Sequence, residues 1–291
     1  MIDLRGEVAV VTGAGSGLGR ELASASARRG MKLTLGDIDE KGLAGTASQI
    51  SQAYPKCEIA TLRVDVTKLM DLEALADLAC TRFGGVYLLF NNAGVGVTAP
   101  LWENTAADWQ WVTSVNLFGV AWGIKTFVPI MLKQSRGHVV NVASAAGWVY
   151  PAGSGIYCAT KAAVVALSES LANDLLATGA GIGVTVLSPA YFPTAIAASE
   201  RNRPAELRDA TEPSDMKRLH EEQVKRAVAK GKIPAAEIAE LTLQAVETNR
   251  FYVFPHSGVL DAISLRSAAA KEGKTAFNPQ RKYPADIASP A

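Results

Sequence analysis

With 291 residues, 48% of them hydrophobic, the chain can bury a large core, and its length fits one α/β domain better than two small ones. Twenty-nine basic residues stand against twenty-eight acidic ones, a formal charge of +1, so nothing marks a nucleic-acid or anionic-membrane partner, and a small molecule is expected instead. Cys57, Cys80 and Cys158 are odd in number and too scattered for a disulfide framework or zinc site, so they read as reduced thiols, and no metal is expected.

Asp3, Arg5 and Glu7 stand where a signal peptide needs an apolar stretch, and no uninterrupted apolar run approaches the roughly 18 residues of a membrane span, which together predict a cytoplasmic protein. From there, short β-branched or apolar runs at 8–11, 32–35, 59–64, 86–90, 138–142 and 183–187 alternate with stretches whose apolar residues recur at helical spacing. Those helices are predicted over 17–29, 40–53, 71–82, 106–132, 156–177 and 235–248, and a last short strand over 251–254. The alternation predicts a doubly wound, parallel, seven-stranded sheet with helices on both faces, one domain over residues 1–256. Residues 192–232 break the rhythm with charges of mixed sign, and Met216, Leu219, Val224 and Val228 suggest one amphipathic helix there, as in a substrate lid. The extension 257–291, with Lys274, Asn278, Pro279, Lys282 and Pro284, has little periodicity after Ala270 and is expected to be loosely ordered or docked on a neighbouring subunit.

The first strand runs into Thr12-Gly13-Ala14-Gly15-Ser16-Gly17-Leu18-Gly19 and then directly into a helix. Glycines there permit a tight turn and close backbone approach, so that a pyrophosphate sits on the positive end of the helix. Asp37 closes the second strand, where a carboxylate accepts hydrogen bonds from the adenosine ribose and repels a 2′-phosphate. With no Arg or Lys at Ser16, this favours NAD over NADP. Tyr157 and Lys161 are four apart in a helical stretch and so share one face. A free tyrosine, with a pKa of about 10, is a poor base at neutral pH, and a nearby ammonium stabilises its phenolate. Ser144, at the end of the fifth strand, is placed to donate to a substrate oxygen.

In combination these residues resemble a short-chain dehydrogenase/reductase of the NAD-preferring, roughly 250-residue core type, over about nine tenths of the chain. The resemblance rests on the 12–19 turn, Asp37, Asp65-Val66, Asn91-Asn92-Ala93-Gly94, Asn116, Ser144, Tyr157-Cys158-Ala159-Thr160-Lys161, and 189–194. It implies a Rossmann-type fold, with Gly13, Ser16, Gly17, Leu18 and Gly19 on the cofactor phosphates. Asp65 and Val66 would hold the adenine, Asn91 the cofactor at the strand edge, and Pro189 and Thr194 the nicotinamide end, Thr194 at the carboxamide. Lys161 would serve both the nicotinamide ribose and Tyr157, while Asn116 would bind a water linking Lys161 to solvent. Ala190 departs from the family, which usually has glycine after the proline, so the backbone beside the nicotinamide is expected to differ. The resemblance also implies a homodimer or homotetramer.

The reaction expected is the interconversion of a secondary alcohol and a ketone with NAD. A non-catalytic NAD-binding regulator would need no set of Ser144, Tyr157, Lys161 and Asn116, and a nucleotide-sugar epimerase or dehydratase would need a larger C-terminal domain. By the same resemblance the substrate pocket comprises Gly96, Val97, Ala145, Ala146, Tyr150, Tyr191, Phe192 and Ile196, an apolar and aromatic lining suited to a hydrophobic cyclic or aryl alcohol or ketone. His138, His220 and His256 are given surface or edge roles, and Trp109 and Trp111 packing or subunit contacts. Trp102 and Trp148 follow segments that border the active site in the family, and for them the pocket and packing readings stand even.

Overall fold

Seven short runs become strands; those in the middle of the sheet are buried on both faces, and a central parallel strand reads as a continuous hydrophobic run for that reason, whereas the two at its edges stay partly exposed. In the computed structural model, which describes residues 1–208 and 212–279, they are β1 (Val8–Thr12), β2 (Lys32–Asp37), β3 (Ile59–Arg63), β4 (Leu88–Asn91), β5 (Arg136–Val142), β6 (Gly181–Leu187) and β7 (Tyr252–Val253). They form one all-parallel sheet in the order β3-β2-β1-β4-β5-β6-β7. The period of two decides which face each side chain serves: Ala9 and Val11 enter one hydrophobic cluster, Val8 and Val10 the other. Leu88 and Phe90 of β4 likewise separate from Leu89.

The helices cover both faces. They are α1 (Gly17–Arg28), α2 (Glu40–Ala53), α3 (Leu69–Phe83), α4 (Ala106–Thr113), α5 (Gly119–Gln134), α6 (Gly155–Thr178), α7 (Asp215–Ala229), α8 (Ala235–Glu247) and α9 (Gly258–Lys271). Residues of α1, α2 and α8 build one cluster, those of α3, α5 and α6 the other. Helix ends follow local chemistry. Asp39 accepts the Gly42 amide at 3.0 Å to start α2, and Gly84 closes α3 at φ +88°, a conformation glycine adopts without steric cost.

The sequence predicts one helix over 106–132; the structure keeps the path but inserts a π-helical turn, Ser114–Phe118, between α4 and α5. The turn carries Asn116 inward, where its side chain holds the Val95 backbone on both sides, accepting from the amide at 2.8 Å and donating to the carbonyl at 2.9 Å. By length and composition Ala106–Gln134 passes for a membrane span, which a reading of uninterrupted apolar runs did not anticipate; 39% of its most apolar stretch is buried against the rest of the molecule.

The extension 257–291 also differs from expectation, because its first part is the helix α9; Lys282 and Pro284 lie outside the described residues. The amphipathic helix of the insertion is real, but its face is not the predicted one. Met216 and Leu219 are exposed, whereas Val224 and Val228 turn inward together with Lys217, His220 and Glu221.

Candidate active site

The strand order reverses between β1 and β4, and the crevice beyond their C-terminal ends is where an open parallel sheet binds ligands. A cleft of about 1480 Å³ opens there. Its first wall is the β1–α1 turn. Gly13 takes φ +67° and Gly17 φ +51°, and a Cβ on Gly19 would lie 2.0 Å from the Gly13 carbonyl oxygen, so the turn closes only with glycine at these positions. Ser16 precedes α1 without any side-chain capping bond, which leaves the amides of the first turn free for an anion.

Asp37 is held by two backbone amides, Gly15 at 2.7 Å and Asp39 at 2.8 Å, and lines the same cleft. Asp65 accepts from the Thr67 amide at 3.1 Å and hydroxyl at 2.7 Å; it and Val66 line the cleft beyond Asp37. Arg63, missed by sequence reasoning, is the register partner of Asp37 across β2 and β3 and also faces the cleft. On the opposite wall Thr194 caps the Ile196 amide, and its Cβ is 3.7 Å from where a Gly17 side chain would begin, so the 189–194 segment and the glycine turn face one another. Uncapped amides, a cradle only glycine permits and a ribose-range carboxylate together fit a dinucleotide.

Asn91 does not join them. It donates to Asn141 at 2.8 Å, Asn141 donates to Ser168 at 3.0 Å, and a Cβ on Gly123 would fall 2.0 Å from Asn91 Oδ1, so the side chain is wedged against α5 behind the strand. Its neighbour Asn92 lines the cleft instead, donating to the Thr12 carbonyl at 2.8 Å. Strand alternation makes the exchange: adjacent residues face opposite ways.

The chemical groups meet at the N-terminal turns of α6. Lys161 is 3% exposed, donates to the Val142 carbonyl at 2.7 Å, and stands 5.7 Å from the centroid of the Tyr157 ring. Burial lowers its pKa to about 8. Tyr157 lines the cleft; burial pushes its pKa up to about 12, a hydrogen bond with Ser144 opposes that rise, and Tyr191 and Cys158 add to it. Ser144 accepts the Ala146 amide at 3.1 Å, which fixes its oxygen at the mouth of β5. Asn116 is buried beneath this group rather than in the cleft. The position where a Gly94 side chain would begin is 3.5 Å from Asn116 Oδ1 and 3.6 Å from Lys161 Nζ.

Beyond Tyr157 the cleft turns apolar, and Gly96, Val97, Ala145, Ala146, Tyr191, Phe192 and Ile196 line it. Tyr150 does not: it is 42% exposed and its ring is covered by the Arg266 guanidinium of α9 at 4.6 Å, while Val149 and Pro151 on either side face the cleft. Trp111 is buried and lines the cleft, whereas Trp109 and Trp102 are exposed and Trp148 packs against Tyr252 and Phe254. The histidines are not surface residues as a group. His138 is buried in β5 against Thr185, with its pKa lowered to about 4 by burial; His220 packs on Gly153. His256 lines the cleft and accepts the Ala190 amide at 3.1 Å, which fixes the backbone where the family-type glycine is missing. Val259 and Ala262 of α9 complete the wall; the helical pattern before Ala270 was the signal that could have found them.

Comparisons with known proteins agree with this geometry. The family profile of the short chain dehydrogenases matches residues 7–205. A short chain dehydrogenase/reductase from Burkholderia phymatum, solved in complex with NAD, superposes with a TM-score of 0.94 at 44% identity, covering 97% of this chain and all (100%) of that one. The apo form of LigO from Sphingobium sp. strain SYK-6 gives a TM-score of 0.76 at 30% identity over 94% of this chain and 90% of its own. A "CLA biosynthesis dehydrogenase/reductase" of Lactiplantibacillus plantarum is 35% identical over 260 residues, 88% of this chain and 90% of the relative.

Proposed function

This chain belongs to the short-chain dehydrogenase/reductase family and is an oxidoreductase of that type, and from that premise we propose that it interconverts a hydrophobic, cyclic or aryl secondary alcohol and its ketone. Its cofactor is NAD. The observation that carries the reading is Tyr157, one helical turn from a buried Lys161 and in the same cleft as Ser144, a cleft whose far end is lined by the glycine turn and Asp37.

Bound NAD supplies the hydride acceptor at its nicotinamide. The chain's own residues handle the proton. In the oxidation direction the Tyr157 phenolate accepts the alcohol proton while Ser144 donates to the same oxygen; in reduction the Tyr157 hydroxyl gives the proton back. The Lys161 ammonium, in a site where burial is the main cause that drives the tyrosine pKa upward, is the group that brings the phenolate within reach. Asn116 is proposed to hold the outlet of that proton through a water beside Lys161, a role supported by the 3.5 and 3.6 Å approaches at Gly94.

A non-catalytic NAD-binding regulator would have no use for a lysine buried without a counter-charge among the described residues, and an epimerase or dehydratase would need a further substrate domain. The exposed remainder of the apolar path Ala106–Gln134 supports self-association as a homodimer or homotetramer, and we propose a cytoplasmic enzyme. We further propose that within 192–232 the α7 helix acts as the lid, since Glu221, Val224, Lys225 and Val228 line the cleft while its outer face, with Met216, Leu219, Gln223 and Arg226, is exposed. A panel of aryl and alicyclic secondary alcohols, followed by NADH absorbance, tests the activity: turnover that depends on NAD supports it, and no turnover across the panel or with the matching ketones and NADH overturns it.

A further inference from the structure

Between the catalytic face and α7 lies the segment Ala195–Asn202, a kinked pair of 3-10 turns followed by Arg203. The stretch 192–232 around it is rich in charges of mixed sign, as a solvated surface is, yet the side chain of Arg203 is only 3% exposed and that of its partner Asp108, in α4, is 0% exposed. The guanidinium bonds Asp108 through one nitrogen, Glu200 through another at 3.2 Å, and lies over the Trp111 ring at 4.9 Å. Asp108 is fixed in turn, because its other oxygen accepts the Thr105 amide at 3.0 Å in a capping box that starts α4.

A buried ion pair is a poor source of stability, since two apolar side chains of the same volume do as well or better; what it supplies is a single geometry. Here that geometry reaches the substrate. The 195–202 turns held by Arg203 carry Ile196 into the cleft, and Ser199, 4% exposed, accepts the Gly96 amide at 3.1 Å next to Val97. Val95, one residue earlier, is gripped by Asn116. The chain of contacts therefore runs from α4 through Arg203 and Ser199 to both apolar sides of the pocket.

We propose that Arg203 is a positioning residue for substrate specificity: with Asp108 and Trp111 it clamps 195–202 as a fixed wall, so that only α7 moves when the site closes. The inference deepens the alcohol dehydrogenase reading and rests on it for its kinetic consequence, but not for the clamp itself. A lysine cannot replace the planar fork that bonds two carboxylates while stacking on the ring, so Arg203→Lys leaves the charge and loses the geometry. Removing Arg203 alone strands a buried carboxylate and endangers folding, so the second variant is Arg203→Met with Asp108→Asn, in which the buried carboxylate goes with its partner, Glu200 stays largely in solvent and the helix cap keeps an acceptor.

Amide hydrogen exchange and steady-state kinetics on the full chain decide the matter. For the double variant the expected result is faster exchange across 195–202, NAD binding within about threefold of wild type, and a KM for alcohol raised about tenfold or more with kcat changed far less, Arg203→Lys falling between. Unchanged exchange in 195–202 overturns the clamp. Faster exchange with an unchanged KM and an unchanged ranking of bulky against small alcohols overturns the positioning role. If the wild type oxidises no alcohol, the proposed function fails while the exchange measurement still decides the clamp.

Discussion

The two ends of the cleft are built differently. At the cofactor end, the 12–19 turn, the α1 N-terminus and Asp37 are contiguous or neighbouring in sequence, and the longer-range of the two amide bonds to the Asp37 carboxylate spans 22 residues. At the substrate end the walls meet only across long loops: Arg203 bonds a carboxylate 95 residues away, Ser199 an amide 103 residues away, and α9 lays Arg266 over Tyr150. A local motif states its own geometry because backbone sterics and helix-end chemistry act within a few residues, whereas a wall made of distant pairs is specified only when the chain has folded. The cofactor end therefore fixes the reaction type, and the substrate end is where relatives of the same fold can diverge.

Breaking the catalytic junction between the two ends should have the largest effect. Tyr157→Phe removes the proposed proton donor and little else, so turnover should fall by about 10²–10⁴-fold while NAD binding stays within a few-fold. Retention of more than about a tenth of wild-type turnover in that variant would sink the acid/base assignment.

The cofactor end can be tested by itself. Wild type should prefer NAD over NADP, and Asp37→Ala should shrink that preference by about ten- to a hundredfold, the worth of a charged hydrogen bond to the ribose. Arg63, beside Asp37 and facing the cleft, sharpens the test: once the carboxylate is gone it is available to a 2′-phosphate, so Asp37→Ala with Arg63→Ala should gain less NADP activity than Asp37→Ala alone. Comparable kcat/KM for both cofactors in the wild type would show that Asp37 does not face the ribose.

A pH profile reads the junction more gently. Burial raises the Tyr157 pKa, so at neutral pH the hydroxyl is the populated form; oxidation, which needs the phenolate, should rise with pH by up to about tenfold per unit until Lys161 loses its charge. Reduction, which uses the hydroxyl, should lack that rise. A flat oxidation profile between neutral and mildly alkaline pH would mean that proton transfer from the alcohol does not limit the rate.

The smallest expected effect separates the fixed wall from the moving part at the substrate end. Limited trypsin digestion should cut α7, at Arg218, Lys225 or Arg226, several-fold more slowly when NAD and a substrate analogue are both present. Cleavage at Arg201 should be slow in both states if Arg203 clamps its segment. Equal α7 cleavage with and without ligands would leave the helix as a static surface element.

By itself the sequence determined what depends on short-range physics: seven strands and the helices between them, the glycine turn, Asp37, and the Tyr157–Lys161 pair on one helical face. The proposed substrate contacts Val97, Ala146, Tyr191, Phe192 and Ile196 rest on family resemblance, and the structure places these residues along the cleft. Tertiary structure decided the rest. It turned Asn91 behind the sheet and Tyr150 away from the cleft, because which way a side chain at a strand end or loop points depends on what packs there, Gly123 in one case and Arg266 in the other. It brought His256 onto the Ala190 amide, made the start of the extension a wall, and buried an arginine from a segment whose composition describes solvated surface. Composition averages over a segment, whereas burial is settled residue by residue by partners that the sequence places a hundred positions away.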